Sequence, residues 1–386
     1  MKKYLAIIVV TFLVSCTKEV IINPKPQENQ KPIVNIIDYK GLSSNQINLL
    51  SKEYIDVMAY DSKANCWLYG DFDLDGMEDV MAFRLSNKPI LLKNQGNNVF
   101  LKVTDVFDEE SYSVWPRSCI SGDFNNDGYL DAVIFSHEFE GANGGENVVL
   151  LINQNGKSFK SKIISPVIRG TTKNFWHLGS SADIDKDGDI DILMSTAGQQ
   201  YLMINDGNSN FSLSTNYEQS LQNSHLIGGL LEDLNKDGYT DYFTFGHEFA
   251  QIGLPKYHNG PAQTRIMWGN SNNSFLFSNS ATFSMDTTGF ALLLDAICVD
   301  VNKDGKNELV VLRTGDPDKS GFYKGYKISV YDVQSLKDIT PELYGNNTYN
   351  TNANWIFFIK IIDINNDGKL DIVDCKKRSN IIFYQK

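Results

Sequence analysis

Three features of this sequence predict an all-β fold of six like units, a β-propeller. An Asp-rich segment recurs six times at near-regular spacing, and short strand-like runs flank every copy. Further strand-like pieces, closed by tight turns, follow within the same period.

Each Asp-rich segment reads D-x-[D/N]-x-D-G-x-x-[D/E]. The first copy places carboxylates at Asp71, Asp73, Asp75 and Asp79, with Gly76 at position six. The second has Asp123, Asn125, Asp127 and Asp131, and the third Asp183, Asp185, Asp187 and Asp191. The fourth has Asp233, Asn235, Asp237 and Asp241. The last two have Asp300, Asn302, Asp304 and Glu308, then Asp363, Asn365, Asp367 and Asp371. Successive first aspartates are 52, 60, 50, 67 and 63 residues apart, so chance is no explanation.

Calcium suits this residue set. It takes about six to eight oxygen ligands at about 2.3–2.6 Å in flexible geometry. Oxygens at positions one, three, five and nine converge on one ion if the chain turns sharply, which the glycine at position six permits. The carbonyl at position seven is a fifth candidate ligand, so its side chain is free to vary: Met77, Tyr129, Asp189, Tyr239, Lys306 and Lys369. Magnesium asks for a stricter octahedron and keeps its waters. Up to six calcium ions are expected.

An EF-hand opens in the same way but needs Glu at position twelve and flanking helices. Position twelve here is Ala82, Ile134, Met194, Thr244, Val311 or Asp374. The flanks, such as Asp131-Ala-Val-Ile-Phe and Ile359-Lys-Ile-Ile, read as buried strands. The loop therefore joins two strands. Copy three shows the rest of a unit: Gln200-Tyr-Leu-Met-Ile, an Asn205-Asp206-Gly207 turn, then Phe211-Ser-Leu-Ser. Four strands in about 50 residues are one propeller blade.

These motifs resemble the FG-GAP or VCBS repeats, the calcium-bearing blades also found in integrin α-subunit propellers. The resemblance runs from about residue 60 to residue 386. It implies a calcium-stabilised propeller with binding or adhesive roles. Only fifteen residues follow Asp371, so the last blade lacks its outer strand. Pro32–Ile37 is a candidate to supply it and close six blades; a seventh, metal-free blade from residues 33–60 is the alternative.

The N-terminus reads as a targeting segment. Lys2 and Lys3 precede an apolar run, and Leu13-Val14-Ser15-Cys16 resembles the bacterial lipobox, in which the peptide is cut before a cysteine that carries lipid. The expectation is a signal peptide over 1–15, a polar lipid-anchored tether over 16–32, and the propeller over 33–386. The run is shorter than the ~20 residues of a spanning helix. The expected location is the bacterial outer membrane or cell surface, with the lipid on Cys16 as sole anchor. Cys66, Cys119, Cys298 and Cys375 fit no zinc spacing and read as buried thiols or one or two disulfides.

The formal charge is −12, from 35 Lys plus Arg against 47 Asp plus Glu, which argues against nucleic acid as a partner. Removing Lys2 and Lys3 gives −14, and six calcium ions would bring that to about −2.

Strand direction picks out a ligand face. The first strand runs into the Asp-rich loop and the second runs back, so residues before the first and after the second lie opposite the metals. Trp115, Trp176 and Trp355 precede their first aspartates by eight, seven and eight residues. His137-Glu138-Phe139 and His247-Glu248-Phe249 end the second strands of copies two and four, before long Gly-containing loops; Arg84 and Arg313 hold nearly the same place in copies one and five. Indoles with a few polar groups suit a glycan. Wedging between blades is the structural alternative for the tryptophans. The functional expectation is a lectin-like or adhesin-like binding module for a glycan or a protein. The alternatives are a polysaccharide lyase or hydrolase using His137, Glu138, His247 and Glu248, or a structural subunit of a surface assembly.

Overall fold

The computed structural model describes residues 37–137, 145–168, 170–196, 199–214, 226–246, 264–282, 288–315, 323–375 and 382–386. Within them, six small antiparallel sheets follow one another along the chain, each with its strands in sequence order. This is a six-bladed propeller. Five blades have four strands, and the last has three among the described residues.

The first strands are Ala64–Gly70, Pro116–Gly122, Trp176–Ala182, Leu226–Glu232, Leu292–Val299 and Ile359–Ile362. The second strands are Asp79–Arg84, Asp131–Ser136, Asp191–Thr196, Asp241–Gly246, Glu308–Gly315 and Asp371–Asp374. Each first strand ends one residue before its motif begins, and each second strand starts on position nine. The Asp-rich loop is therefore the turn between these two strands in every blade, and an EF-hand is excluded.

Burial explains the composition of the strands. Apart from the half-buried Arg84, every residue of the six second strands is buried, because each blade is covered on both faces by its neighbours. That is why these runs are continuously apolar instead of alternating. The outer strands Phe100–Val103 and Phe211–Leu213 contain no buried residue.

Residues 37–60 make no seventh blade. Within the described part of that stretch lie two short helices, Ser44–Leu50 and Val57–Tyr60, and no strand. The expected closing strand falls mostly on residues outside the description, and Ile37 is in no strand. Helix Ser44–Leu50 instead touches the first strand of all six blades, so it sits on the propeller axis. Ser43 caps it with a reciprocal bond to Gln46 and also donates to Glu232. Asn45 exchanges two hydrogen bonds with the backbone of Cys298, at 2.9 and 3.1 Å. The Ser44 N–H donates to the Ser181 hydroxyl at 3.1 Å, and the Ser181 N–H donates to the Ser44 hydroxyl at 3.0 Å. Glu232 and Ser181 lie where first strands run into Asp-rich loops, so the helix stands toward that end of the axis.

Blades six and one are joined by the segment after this helix. The Lys360 ammonium donates to the Ser51 hydroxyl and the Glu53 carbonyl, and lies 3.6 Å from the Tyr69 ring centroid. The Tyr54 hydroxyl donates to the Asp374 carbonyl at 2.9 Å. Cys66, Cys119, Cys298 and Cys375 form no disulfide with one another. Among the described residues no helix is long and apolar enough to cross a membrane.

Candidate functional site

The six Asp-rich loops share one backbone solution. Both oxygens of the first aspartate accept backbone N–H groups further along the loop: Asp71 from Asp75 and Gly76, and Asp363 from Asp367 and Gly368. Position six is left-handed throughout, with φ between +83° and +91°, as only glycine adopts without strain. Position four is left-handed too, and it is filled by Leu74, Asn126, Lys186, Lys236, Lys303 and Asn366.

The carboxylate at position nine is the buried member. Asp79, Asp131, Asp191, Asp241 and Asp371 have no exposed surface, and Glu308 has 1%. Burial, with the like charges of its own loop, pushes Asp79 up to about 8 and Asp191, Asp241 and Glu308 to about 7. Asp71, Asp73 and Asp79 each present an oxygen within 4.8 Å of the others, as do Asp183, Asp185 and Asp187. Buried Asp79 Oδ2, Asp73 Oδ1 and Asp185 Oδ1 have no hydrogen-bond partner. Oxygen-rich, acidic and short of donors, these loops fit a hard divalent cation. Loop one differs in that the Lys93 ammonium pairs with Asp73.

Two further sets of residues stitch the loops together, a role that no repeated Asp-rich motif assigns to them. One is an Asn at the end of the third strand. Asn153 Nδ2 donates to the Leu130 carbonyl of its own loop and the Phe72 carbonyl of the preceding blade, at 3.0 and 2.8 Å. Asn205 does the same with Ile190 and Phe124. The signal was an Asn recurring before Gly, as in Asn94-Gln-Gly and Asn205-Asp-Gly. The other set is the basic residue at position four: Lys236 and Lys303 donate to the Gly305 and Gly368 carbonyls of the next loop, and Lys186 lies 3.6 Å from the Tyr239 ring centroid.

The opposite face carries a cavity of about 340 Å³ lined by Trp115, Arg117, His137, Phe175, His177, Tyr323, Trp355 and Phe357. Topology brings them together. Trp115, Phe175, Trp355 and Phe357 precede first strands, Arg117 and His177 are second residues of first strands, His137 follows a second strand, and Tyr323 precedes the third strand of blade five. Blades two and three supply one aromatic group, in which His137 stacks on His177 at 5.0 Å and on Trp115 at 6.4 Å. Blades five and six supply the other, with Trp355 at 4.8 Å from Tyr323 and 4.1 Å from Phe357.

Arg117 joins the two groups. Its guanidinium lies 3.9 Å from the Phe357 ring centroid and hydrogen-bonds the Tyr323 side chain. Only 5% of it is exposed. Burial and the nearby Arg117 charge push His137 down to about 4, so its imidazole is neutral at physiological pH.

The predicted ligand residues fall into three groups. Trp115, Trp355 and His137 line this cavity. Trp176 does not: it is fully buried, packed with Phe124 and Phe135 of blade two and Tyr201 of blade three, a wedge between blades. Its neighbours Phe175 and His177 line the cavity in its place. Arg84 is held by Asp61 at 2.9 Å inside blade one, and Arg313 is buried within blade five. Glu138, His247 and Glu248 lie outside the described residues, as do Cys16 and most of the two Gly-containing loops.

The family model of the FG-GAP-like repeat matches residues 71–134 and 183–244. No curated protein matches the sequence. Among solved structures, a lectin of Agrocybe aegerita, described as recognising non-reducing terminal N-acetylglucosamine, is 17% identical with a TM-score of 0.43. That match covers 69% of this chain and 66% of the lectin, just under two thirds of its length. The V. cholerae biofilm matrix protein Bap1 is 15% identical with a TM-score of 0.34, over 73% of this chain and 40% of that one. A lectin from Burkholderia pseudomallei is 11% identical with a TM-score of 0.40, over 75% and 70% of the two chains.

Proposed function

The chain carries FG-GAP-like repeats in a six-bladed propeller, and from that premise we propose a calcium-stabilised binding module that holds a glycan in the cavity opposite the Asp-rich loops. Calcium is scaffold in this reading, and the lipid on Cys16 displays the module at a bacterial surface. The observation that carries it is the cavity lining: six aromatic or imidazole rings beside Tyr323 and one guanidinium. Flat ring faces take the C–H side of a pyranose, and the polar groups at their edges take its hydroxyls.

Contact rather than turnover is what the described lining offers. Glycoside hydrolysis uses a pair of carboxyl groups across the scissile bond, and the eight described lining residues include none. His137, neutral down to about pH 4, is poorly matched to proton transfer at neutral pH.

The test is incubation of the full chain, in calcium, with a panel of polysaccharides, reading both retention of the sugar and its chain length. Retention with intact chains is the expected result, and Trp115→Ala should lower it at least tenfold. Shortened chains would replace the binding module with an enzyme. No retention across the panel would discard the glycan.

A further inference from the structure

We infer that the cavity selects a carboxylated glycan, a uronic-acid type of sugar, and that Arg117 is the residue that reads the acid. This rests on the glycan-binding reading above and narrows it.

Arg117 is a charge taken out of water. Its side chain starts on the second residue of a first strand, and 5% of it is exposed. Burial lowers its basicity to about 10, which leaves it protonated at neutral pH. A guanidinium has five N–H donors in a planar fork. Here one partner is the Tyr323 side chain and another is the face of Phe357, which is an attraction and not an acceptor. Among the described residues no carboxylate pairs with it, and none lines the cavity.

That arrangement is costly unless a ligand completes it. A buried cation keeps its charge when an anion or several acceptors replace its water. A carboxylate matches the fork with two parallel bonds. The remaining walls suit a ring: Trp115, Phe175, Trp355 and Phe357 are flat and apolar, and neutral His137 adds a hydrogen-bonding group without a second charge. The volume of about 340 Å³ is at the small end of the roughly 300–1,000 Å³ of ligand pockets, which favours one or two sugar rings.

Charge distribution supports the same ligand. The protein is acidic overall, but its motif carboxylates lie in loops at the other end of the blades, where calcium would neutralise them. Over such a separation, screening at physiological salt (Debye length about 8 Å) weakens their repulsion of an anion at the cavity.

The experiment is titration calorimetry on the full chain in calcium, with uronate oligomers, their methyl esters and the matching neutral hexose oligomers. The acid form should bind at least tenfold more tightly than the ester or neutral form of the same linkage. Arg117→Gln should abolish that preference, so that acid, ester and neutral forms bind alike, and Arg117→Lys should restore part of it. Equal binding of acid, ester and neutral forms to the unaltered protein would overturn the acid preference and leave the glycan module standing. Binding of none of them, with an acidic peptide bound instead, would overturn both. The ester comparison needs no variant, so the proposal stays exposed even if Arg117→Gln fails to fold.

Discussion

Trp176 and its neighbours show how much a single position along a strand decides. Side chains alternate between the two faces of a strand, so Phe175 and His177 point away from the direction of Trp176. The indole is driven between blades two and three, and the flanking rings reach the cavity. Trp176→Ala should therefore cost about 3–5 kcal/mol of stability, read by urea unfolding, with no specific loss of ligand contact. A stable Trp176→Ala protein with lost binding would move the indole into the site. His137 offers a second check at this scale. Unfolded, its imidazole protonates near its ordinary 6.5, and folded near 4. Between those values only the unfolded chain takes up the proton, so its contribution to stability is present above pH 6.5 and is lost as pH falls toward 4. NMR titration of the His137 ring should give a midpoint near 4, and His137→Gln should flatten the stability profile across that window. A midpoint near 6.5 would mean that the ring is solvated.

Elements of this fold are held across their boundaries as well as within them. The loops illustrate it: position-four lysines reach the next loop, and the third-strand asparagines reach back to the preceding one. Helix Ser44–Leu50 is the extreme case. Seven residues are marginal as a free helix, yet this one contacts every first strand and exchanges side-chain bonds with blades three, four and five. Asn45→Ala should leave the Cys298 backbone amide and carbonyl without partners and cost about 1–3 kcal/mol each way they remain buried. Urea unfolding measures this. A loss below about 0.5 kcal/mol would show that the helix rests on the axis without holding it.

Across the whole molecule, the ring depends on six acidic loops and one closure. Twenty motif carboxylates, several buried beside like charges, repel one another when ionised, and in the proposed reading calcium joins them. A ligand that binds only the native state stabilises it by about 2.7 kcal/mol at a hundred times its dissociation constant. EDTA should therefore lower the melting temperature substantially, with calcium restoring it better than magnesium. An unchanged melt would sink structural calcium. Closure between blades six and one comes from Lys360, Ser51, Glu53 and Tyr54 instead of a paired N-terminal strand among the described residues.

The sequence by itself determined the blades, because their causes are local. An Asp-rich turn with glycine at position six, between two apolar runs, forms the same loop wherever it recurs, and six recurrences make six sheets. It also determined which face lies opposite those loops, since strand direction follows from the order of turns. The occupant of the axis is marked in the sequence only by Ser43-x-x-Gln46, a capping box that starts a helix without saying where the helix docks. What only the tertiary structure decided is which residues of the ligand face meet. Arg117, Phe175, His177, Tyr323 and Phe357 belong to no repeated motif, and the cavity draws on blades two, three, five and six at once. Repeats report what every blade shares, whereas a site at the axis is built from what each blade does differently, and it takes the closed ring to set Arg117 of blade two 3.9 Å from the Phe357 ring of blade six.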